Sequence, residues 1–173
     1  MTPALETYIR DIPDFPKPGI VFKDITPLLG SPEGFALCID AFKTALDGVD
    51  CNKIVGIESR GFLFGTTLAH QMGVGFVPVR KPGKLPYEVV SQEYALEYGT
   101  DKIEMHTDAI TSGDDVVVID DLIATGGTAA AACDLIEQVG GSVTALSFVI
   151  ALDFLPWRDK LGPRDVRSLL SYA

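Results

Sequence analysis

Positive charge is scarce in this 173-residue chain, in which 14 Lys and Arg residues stand against 24 Asp and Glu residues, for a formal net charge of −10 at pH 7. Proteins that bind nucleic acids or membrane surfaces usually carry a basic face, so this balance argues against both classes of partner. A small anionic substrate remains compatible with it, provided that the few cations gather in one place.

Cysteines and long apolar runs are also few. The three cysteines are odd in number and form no CxxC pair, which is typical of reduced thiols in a cytoplasmic protein. Acidic residues and prolines interrupt the N-terminus, so we expect no signal peptide there. The longest apolar runs, such as residues 148–152, are too short to span a bilayer. No repeat, low-complexity tract or linker is visible, and we expect a single domain over residues 1–173.

Helical and strand patterns alternate from about residue 33 onward. Helical spacing predicts helices at 32–46, 61–72 and 127–139, and β-branched runs predict strands at 53–57, 74–80, 115–120 and 142–152. Strands that alternate with helices of this length form βαβ units, so we predict an α/β fold with a central, mostly parallel sheet flanked by helices. Two segments break the pattern. We expect residues 1–30 to cap the sheet and residues 81–107 to form an antiparallel excursion or lid.

The strongest functional signal is the stretch VVVIDDLIATGGT over residues 116–128, where an apolar strand runs into an Ala-rich helix. Gly126 and Gly127 let backbone N–H groups approach an anion, and the helix N-terminus adds the positive end of its dipole. The hydroxyls of Thr125 and Thr128 are further donors. A monoester phosphate fits such a turn.

Two adjacent carboxylates, Asp120 and Asp121, stand at the tip of the same strand. They repel a phosphate, so they must serve hydroxyl groups or a cation. A ribose 5-phosphate meets both requirements, with its phosphate at the glycines and its 2′- and 3′-hydroxyls on the carboxylates. A simpler interpretation is a Gly-rich turn in which Thr128 caps the helix, but it gives the paired acids no role. The sequence has neither a GK[ST] nor a GxGxxG motif, so the turn is not a Walker A loop or a dinucleotide fingerprint.

Two other stretches accompany this turn: PDFPKPGIVFKDIT over residues 13–26 and YALEYG over residues 94–99. The turn resembles the signature that binds phosphoribosyl pyrophosphate (PRPP) in type I phosphoribosyltransferases. With the other two stretches, the chain resembles the adenine phosphoribosyltransferase family over essentially its whole length. The resemblance implies the type I phosphoribosyltransferase fold and the conversion of adenine and PRPP to AMP and pyrophosphate. It also assigns ribose binding to Asp120 and Asp121, and 5′-phosphate binding to the residues that follow: Ala124, Thr125, Gly126, Gly127 and Thr128.

By the same resemblance, residues 1–30 form a hood over the base. Phe22 stacks on adenine, the main chain at Val21 reads its Watson–Crick edge, and Lys23, where the family more often has Arg, lies alongside. Spacing alone would make Phe22 a core aromatic residue.

Two groups of residues are candidates for the pyrophosphate. Ser59, Arg60 and the backbone at Gly61 begin a predicted helix, where an anion can bind. The resemblance implies a cis peptide bond just before Ser59. The second group consists of three of the few cations, which follow the carboxyl end of a strand: Arg80, Lys81 and Lys84. In a less acidic protein such cations would be taken for a solvated face.

The resemblance makes residues 81–107 a lid that carries the catalytic residue. The anomeric carbon gains oxocarbenium character as pyrophosphate leaves, and water could capture it, so a closing loop is expected. The resemblance makes Glu97 the general acid–base that handles the proton lost by the base. It places Tyr98 against the pyrophosphate and the ribose. The sequence offers no dedicated metal cage, so we expect Mg²⁺ to be held mainly by PRPP and water.

Two other functions compete with this interpretation. A phosphoribosyltransferase for xanthine, guanine or hypoxanthine would share the PRPP site and differ in the base. A non-catalytic PRPP-binding regulator should append a basic DNA-binding domain, for which this chain has neither the length nor the charge. The resemblance also implies a homodimer, and whether the three cations at 80–84 act across it is open.

Overall fold

A computed structural model describes residues 4–95 and 99–173 of the chain. They fall into two compact units, Met1–Ala41 and Phe42–Ala173. The boundary lies inside a helix, and the single-domain organisation stays a prediction. Within the described residues, no helix has the length and the apolar character needed to cross a membrane.

The first unit contains a short antiparallel sheet. A 3-10 helix, Leu5–Tyr8, precedes strands β1 (Arg10–Pro13) and β2 (Val21–Asp24), which pair with each other. Helix α1 (Thr26–Gly30) follows, and helix α2 (Pro32–Ala45) runs across the boundary into the second unit. A proline at the first or second position of each helix suits its start, because Pro has no N–H to leave unpaired there.

The second unit is built on strands and connecting helices. In chain order, the strands are β3 (Lys53–Ile57), β4 (Gly75–Val79), β5 (Val89–Ala95), β6 (Thr100–His106), β7 (Asp115–Ile123), β8 (Ser142–Leu152) and β9 (Val166–Tyr172). The helices are α3 (Gly61–Met72), α4 (Gly127–Gln138) and α5 (Trp157–Leu161). Five of the strands form a parallel sheet in the order β4–β3–β7–β8–β9, and β5 pairs with β6 in an antiparallel hairpin.

Helices cover both faces of the parallel sheet. Val55 and Ile57 of β3 belong to a buried core that includes residues of α4 such as Leu135. Successive strand side chains point to opposite faces, and Ile54 lies against α3 at Gly65. Burial on both faces explains why residues 116–119 of β7 form an unbroken apolar run rather than an alternating one.

The structure confirms the predicted α/β fold with its central parallel sheet and flanking helices. Residues 81–107 contain the predicted antiparallel excursion, which is the β5–β6 hairpin. Strand β7 extends to Ile123, three residues beyond the predicted end at Asp120. Strand β9 and helix α5 were not predicted.

Candidate active site

The strand order creates a crevice at the carboxyl ends of β3 and β7. The chain leaves β3 through α3 toward β4 on one side, and leaves β7 through α4 toward β8 on the other. Ligands of open α/β sheets bind at such a switch point. Gly56 pairs with Ile119, so the residues that follow them meet at this edge.

The first cavity at this edge, the β7–α4 cavity, has a volume of about 120 Å³. Its walls are residues 122–129 together with Asp120 and Phe148. All five residues predicted to bind the 5′-phosphate lie in this wall. The N–H groups in the first turn of α4 have no acceptor within the helix, so the cavity offers hydrogen-bond donors at the positive end of the helix dipole.

Gly126 gives this turn its shape. It is the N-cap residue of α4, with φ 77° in the left-handed region, so the interpretation in which Thr128 caps the helix is wrong. A Cβ at Gly126 would lie 2.9 Å from the carbonyl oxygen of Trp157. Only glycine therefore combines this backbone conformation with this close approach. Trp157, which is buried, packs directly against the turn.

The second cavity, the β3–β7 cavity, adjoins the first and has a volume of about 430 Å³. Its walls are residues 57–60 and 120–122 with Lys81, Tyr94 and Thr128. The two cavities share Asp120, Leu122 and Thr128. The structure thus brings Ser59, Arg60 and Lys81 together with the paired carboxylates, and their roles in binding stay predictions.

The two carboxylates at the tip of β7 lie in different electrostatic environments. Asp121 is buried and forms an ion pair with Arg60, with Nε 2.8 Å from Oδ2. Burial raises the pKa of Asp120 well above its usual range, and the adjacent carboxylate of Asp121 raises it further. Oδ1 of Asp120 accepts a hydrogen bond from the N–H of Asp121 at 2.8 Å.

Gly61 lets α3 approach this carboxylate pair. A Cβ at Gly61 would lie 2.7 Å from the carbonyl oxygen of Ile119 and 2.9 Å from Oδ1 of Asp120. The helix N-terminus therefore packs directly on the tip of β7. The Glu58–Ser59 peptide bond that leads into it is cis, which confirms the prediction.

The predicted cationic cluster is divided. Lys81 lines the β3–β7 cavity, but Arg80 and Lys84 are not wall residues and form ion pairs with Glu58. Nε of Arg80 lies 3.2 Å from Glu58, whose Oε2 also accepts the N–H of Lys81 at 3.0 Å. Burial raises the pKa of Glu58, but the hydrogen bonds from Lys84, Lys81 and Arg80 outweigh burial and lower it.

The residues predicted to bind the base lie in the first unit. Val21 is exposed, the ring of Phe22 meets that of Phe15 edge-on at 5.3 Å, and Nζ of Lys23 lies 2.7 Å from Asp11. Phe22 is half-buried, and the assignment of these residues to adenine stays a prediction.

Two predicted residues, Glu97 and Tyr98, lie outside the described residues. The hairpin strands on either side of them are described, and Tyr94 of β5 reaches the wall of the β3–β7 cavity. Across residues 4–95 and 99–173, no three His, Cys, Asp or Glu side chains are grouped so that they could hold a metal ion.

Comparison with known proteins decides the family. The model of the phosphoribosyl transferase domain matches residues 32–153. The chain is 52% identical to the adenine phosphoribosyltransferase of Kosmotoga olearia, over 97% of this chain and 99% of that one, and 54% identical to that of Solibacter usitatus, over 98% of each. The chain belongs to the adenine phosphoribosyltransferase family. It is therefore an enzyme of the transferase class.

Solved structures of adenine phosphoribosyltransferases share this fold. The enzyme of Thermoanaerobacter pseudethanolicus superposes with a TM-score of 0.94 at 52% identity, covering 97% of this chain and 98% of that one. The Saccharomyces cerevisiae enzyme, solved with adenine and an imino-altritol bisphosphate, gives a TM-score of 0.91 at 48% identity, covering 96% of each chain. The type I phosphoribosyltransferase fold predicted for this member of the family is thereby confirmed.

Sequence reasoning missed the carboxylate partners of the cations. Asp101 of β6 pairs with Lys81, and Glu58, considered only for its peptide bond, pairs with Arg80 and Lys84. The hairpin register places Asp101 opposite Tyr94, so a correct strand alignment could have placed these two residues together. No local pattern predicts that Lys81 reaches them.

Proposed function

We propose that this enzyme transfers the 5-phosphoribosyl group of PRPP to N9 of adenine, giving AMP and pyrophosphate. The observation that carries the proposal is the pair of adjoining cavities at the β3–β7 switch point. One offers the N–H groups of a helix N-terminus, the other offers Arg60 and Lys81, and the two aspartates lie where the cavities meet. This order of groups suits a ribose that carries a phosphate at one end and a diphosphate at the other.

The 5′-phosphate is proposed to bind in the β7–α4 cavity, at residues 124–128. The N–H groups of the first turn of α4 would donate to its oxygens, and the hydroxyls of Thr125 and Thr128 would add donors. Gly126 and Gly127 keep side chains out of this approach.

The ribose hydroxyls are proposed to bind Asp120 and Asp121. A carboxyl whose pKa is raised can hold a proton and donate it in a hydrogen bond, whereas a carboxylate balanced by Arg60 accepts. The pair can thus offer the 2′- and 3′-hydroxyls both an acceptor and a donor. This arrangement would fix the anomeric carbon at the mouth of the β3–β7 cavity.

The diphosphate is proposed to bind Ser59, Arg60, Lys81 and the backbone at Gly61. Arg80 and Lys84 would act from a second layer, because both are bound to Glu58. Tyr98 is proposed as a further contact.

Bond formation at the anomeric carbon needs a leaving group, a nucleophile and a base. The bond to the pyrophosphate oxygen breaks, positive charge develops on the ring oxygen and anomeric carbon, and N9 of adenine supplies the electron pair of the new bond. Glu97 is proposed to take the proton that N9 loses. Val21, Phe22 and Lys23 are proposed to bind the base.

A Mg²⁺ ion carried by PRPP fits the donor set of the site. Mg²⁺ is usually bound through one or two carboxylates, substrate phosphates and water rather than in an all-protein cage. Asp121 supplies a carboxylate, and Asp120 a carboxyl oxygen, at the wall of the β3–β7 cavity. When bound, the ion would neutralise charge on the departing pyrophosphate.

Formation of nucleotide from PRPP and each of four purines tests this proposal. We expect AMP with adenine, and no product with guanine, hypoxanthine or xanthine. Asp121→Asn and Glu97→Gln should lower kcat/KM by about 10²-fold or more. Asp115→Asn, at the other end of β7, and Glu93→Gln, in the hairpin, are the matched controls and should retain activity.

Each other outcome contradicts part of the proposal. Product with an oxopurine alone would leave the PRPP site in place and refute the base assignment. No product with any purine, together with PRPP binding, would favour a PRPP-binding regulator.

We also propose a homodimer and a cytoplasmic location. The three cysteines are free thiols, which suits a reducing compartment, and symmetric dimers are the commonest oligomers. Light scattering on the purified protein should give twice the chain mass of 18.6 kDa, and a value equal to one chain would refute the dimer.

A further inference from the structure

Lys81 lines the β3–β7 cavity, and its side chain is bound to two residues of the β5–β6 hairpin. Its ammonium donates a hydrogen bond to the hydroxyl of Tyr94 at 2.9 Å and pairs with the carboxylate of Asp101. Tyr94 and Asp101 are opposite each other in the hairpin register, so the two acceptors lie side by side on paired strands. Lys81 and Tyr94 are wall residues of the cavity, and Asp101 is not.

The ion pair with Asp101 partly neutralises the positive charge that Lys81 presents to the cavity. The hydrogen bond from Lys81 lowers the pKa of Asp101, and the N–H of Lys102 and the hydroxyl of Tyr94 act in the same direction. Burial lowers the pKa of Lys81, but the hydrogen bonds to Asp101 and Tyr94 outweigh burial and raise it. Both groups are therefore charged at neutral pH, and the carboxylate offsets the lysine charge.

Asp101 can release Lys81 at little cost. Its Oδ1 accepts the N–H of Lys102 at 2.7 Å, and its Oδ2 accepts the hydroxyl of Tyr94 at 3.0 Å. A carboxylate that keeps two donors is not left unsatisfied when a third donor moves away. The side chains of Lys81 and Asp101 are 36% and 32% exposed, and ion pairs this close to solvent are weak.

We propose that Asp101 sets the affinity of the enzyme for diphosphate by competing for the ammonium of Lys81. The proposal rests on the proposed function, which puts the diphosphate of PRPP in the β3–β7 cavity. Diphosphate oxygens that bind the ammonium of Lys81 must draw it away from Asp101. The consequence is a weaker hold on pyrophosphate, which has to leave before the next turnover.

Asp101→Asn removes the negative charge with little change in shape. Asn keeps one oxygen, which can accept hydrogen bonds from Lys81 and Tyr94, and has an amide NH2 in place of Oδ1, the oxygen that accepts the N–H of Lys102. We expect the Kd for pyrophosphate and the KM for PRPP to fall by about two- to fivefold, the range of an exposed ion pair. The KM for adenine should not change. A purely structural role for Asp101 would raise these constants or lower stability instead.

Calorimetric titration with pyrophosphate, at fixed Mg²⁺ and ionic strength, tests the proposal without turnover. The proteins are wild type, Asp101→Asn, Lys81→Met, the double variant, and Asp108→Asn as a control that removes an exposed carboxylate from the turn after β6. We expect Asp101→Asn to bind pyrophosphate more tightly than wild type. The double variant should bind it no more tightly than Lys81→Met, and Asp108→Asn should bind it with wild-type affinity.

The proposal would be overturned by unchanged or weaker binding in Asp101→Asn, by an equal gain in Asp108→Asn, or by a gain that persists without Lys81. Failure of all the proteins to bind pyrophosphate would overturn it too. AMP synthesis is measured separately. If the wild-type enzyme makes no AMP but Asp101→Asn still binds pyrophosphate more tightly than wild type, the proposed transfer to adenine is refuted and the role of Asp101 in diphosphate binding stands.

Discussion

Gly61→Ala should damage both the stability and the activity of the enzyme. The added Cβ would lie 2.7 Å from the carbonyl oxygen of Ile119 and 2.9 Å from Oδ1 of Asp120. The first contact is with the backbone of a central strand, which cannot rotate out of the way. To reach the 3.4 Å of ordinary contact, the N-terminus of α3 must move by about 0.7 Å away from the tip of β7.

The size of the effect follows from this displacement. Overpacking of this kind costs about 1–3 kcal/mol of unfolding free energy, and each kcal/mol lowers the Tm of a chain this long by about 2–4 °C. We therefore expect a Tm lower by about 2–12 °C. Arg60 precedes Gly61 and pairs with Asp121 at 2.8 Å. Because misplacement by about 1 Å can cost roughly 10²-fold in rate, we expect kcat/KM for PRPP to fall by about 10- to 100-fold.

Differential scanning calorimetry and initial-rate kinetics measure the two effects. Gly75→Ala is the matched control, because its Cβ would lie 3.5 Å from Cγ of Lys53, which is ordinary contact, and it should behave as wild type. A Gly61→Ala protein with wild-type Tm and kcat/KM would refute the inferred packing of α3 on the carboxylate pair.

Three other perturbations test separate parts of the structure. Glu58→Gln removes the charge that pairs with Arg80 and Lys84, so we expect urea titration to show a loss of about 1–3 kcal/mol in the free energy of unfolding; an unchanged midpoint would contradict this. Hydrogen bonds, first of all from Lys53, lower the pKa of Asp114 from 3.8 to about 2. The stability that Asp114 contributes is therefore complete above its unfolded-state pKa and is lost as the pH falls through about 2. Asp114→Asn should be less stable than wild type by roughly 2 kcal/mol at pH 7, with a difference that shrinks between about pH 4 and pH 2; a constant difference would refute the assignment. Trp157 is the one tryptophan of the chain and packs against the β7–α4 turn, so its fluorescence should change when AMP binds; binding seen by calorimetry without any change in emission would place the phosphate elsewhere.

Local patterns predicted most of the fold, and they failed where a strand depends on distant partners. The apolar run at Val116–Ile119 is long enough to indicate a strand buried on both faces, and it became the centre of the sheet. Strand β9 contains polar residues at Arg167, Ser168 and Ser171, which weaken the strand pattern. It exists because β8 offers it a parallel edge, and pairing between distant segments leaves no local trace.

The candidate site shows the same division. The glycine turn and the aspartate pair were predictable, because Gly126 and its neighbours meet backbone requirements that few other residues can. The partners of the cations were not, because each pair joins segments about 20 or more residues apart, as Lys81 joins Asp101 and Lys84 joins Glu58. Which carboxylate lies next to a given cation depends on how the fold brings these segments together at the sheet edge.

The proposal that one PRPP molecule spans the two adjoining cavities is tested most directly by competition at equilibrium. AMP and pyrophosphate are titrated alone, together and against PRPP, at fixed Mg²⁺. If the β7–α4 cavity binds the 5′-phosphate and the β3–β7 cavity binds the diphosphate, then AMP and pyrophosphate bind at the same time and PRPP displaces both. Mutual exclusion of AMP and pyrophosphate, or PRPP that displaces only one of them, would contradict the proposal.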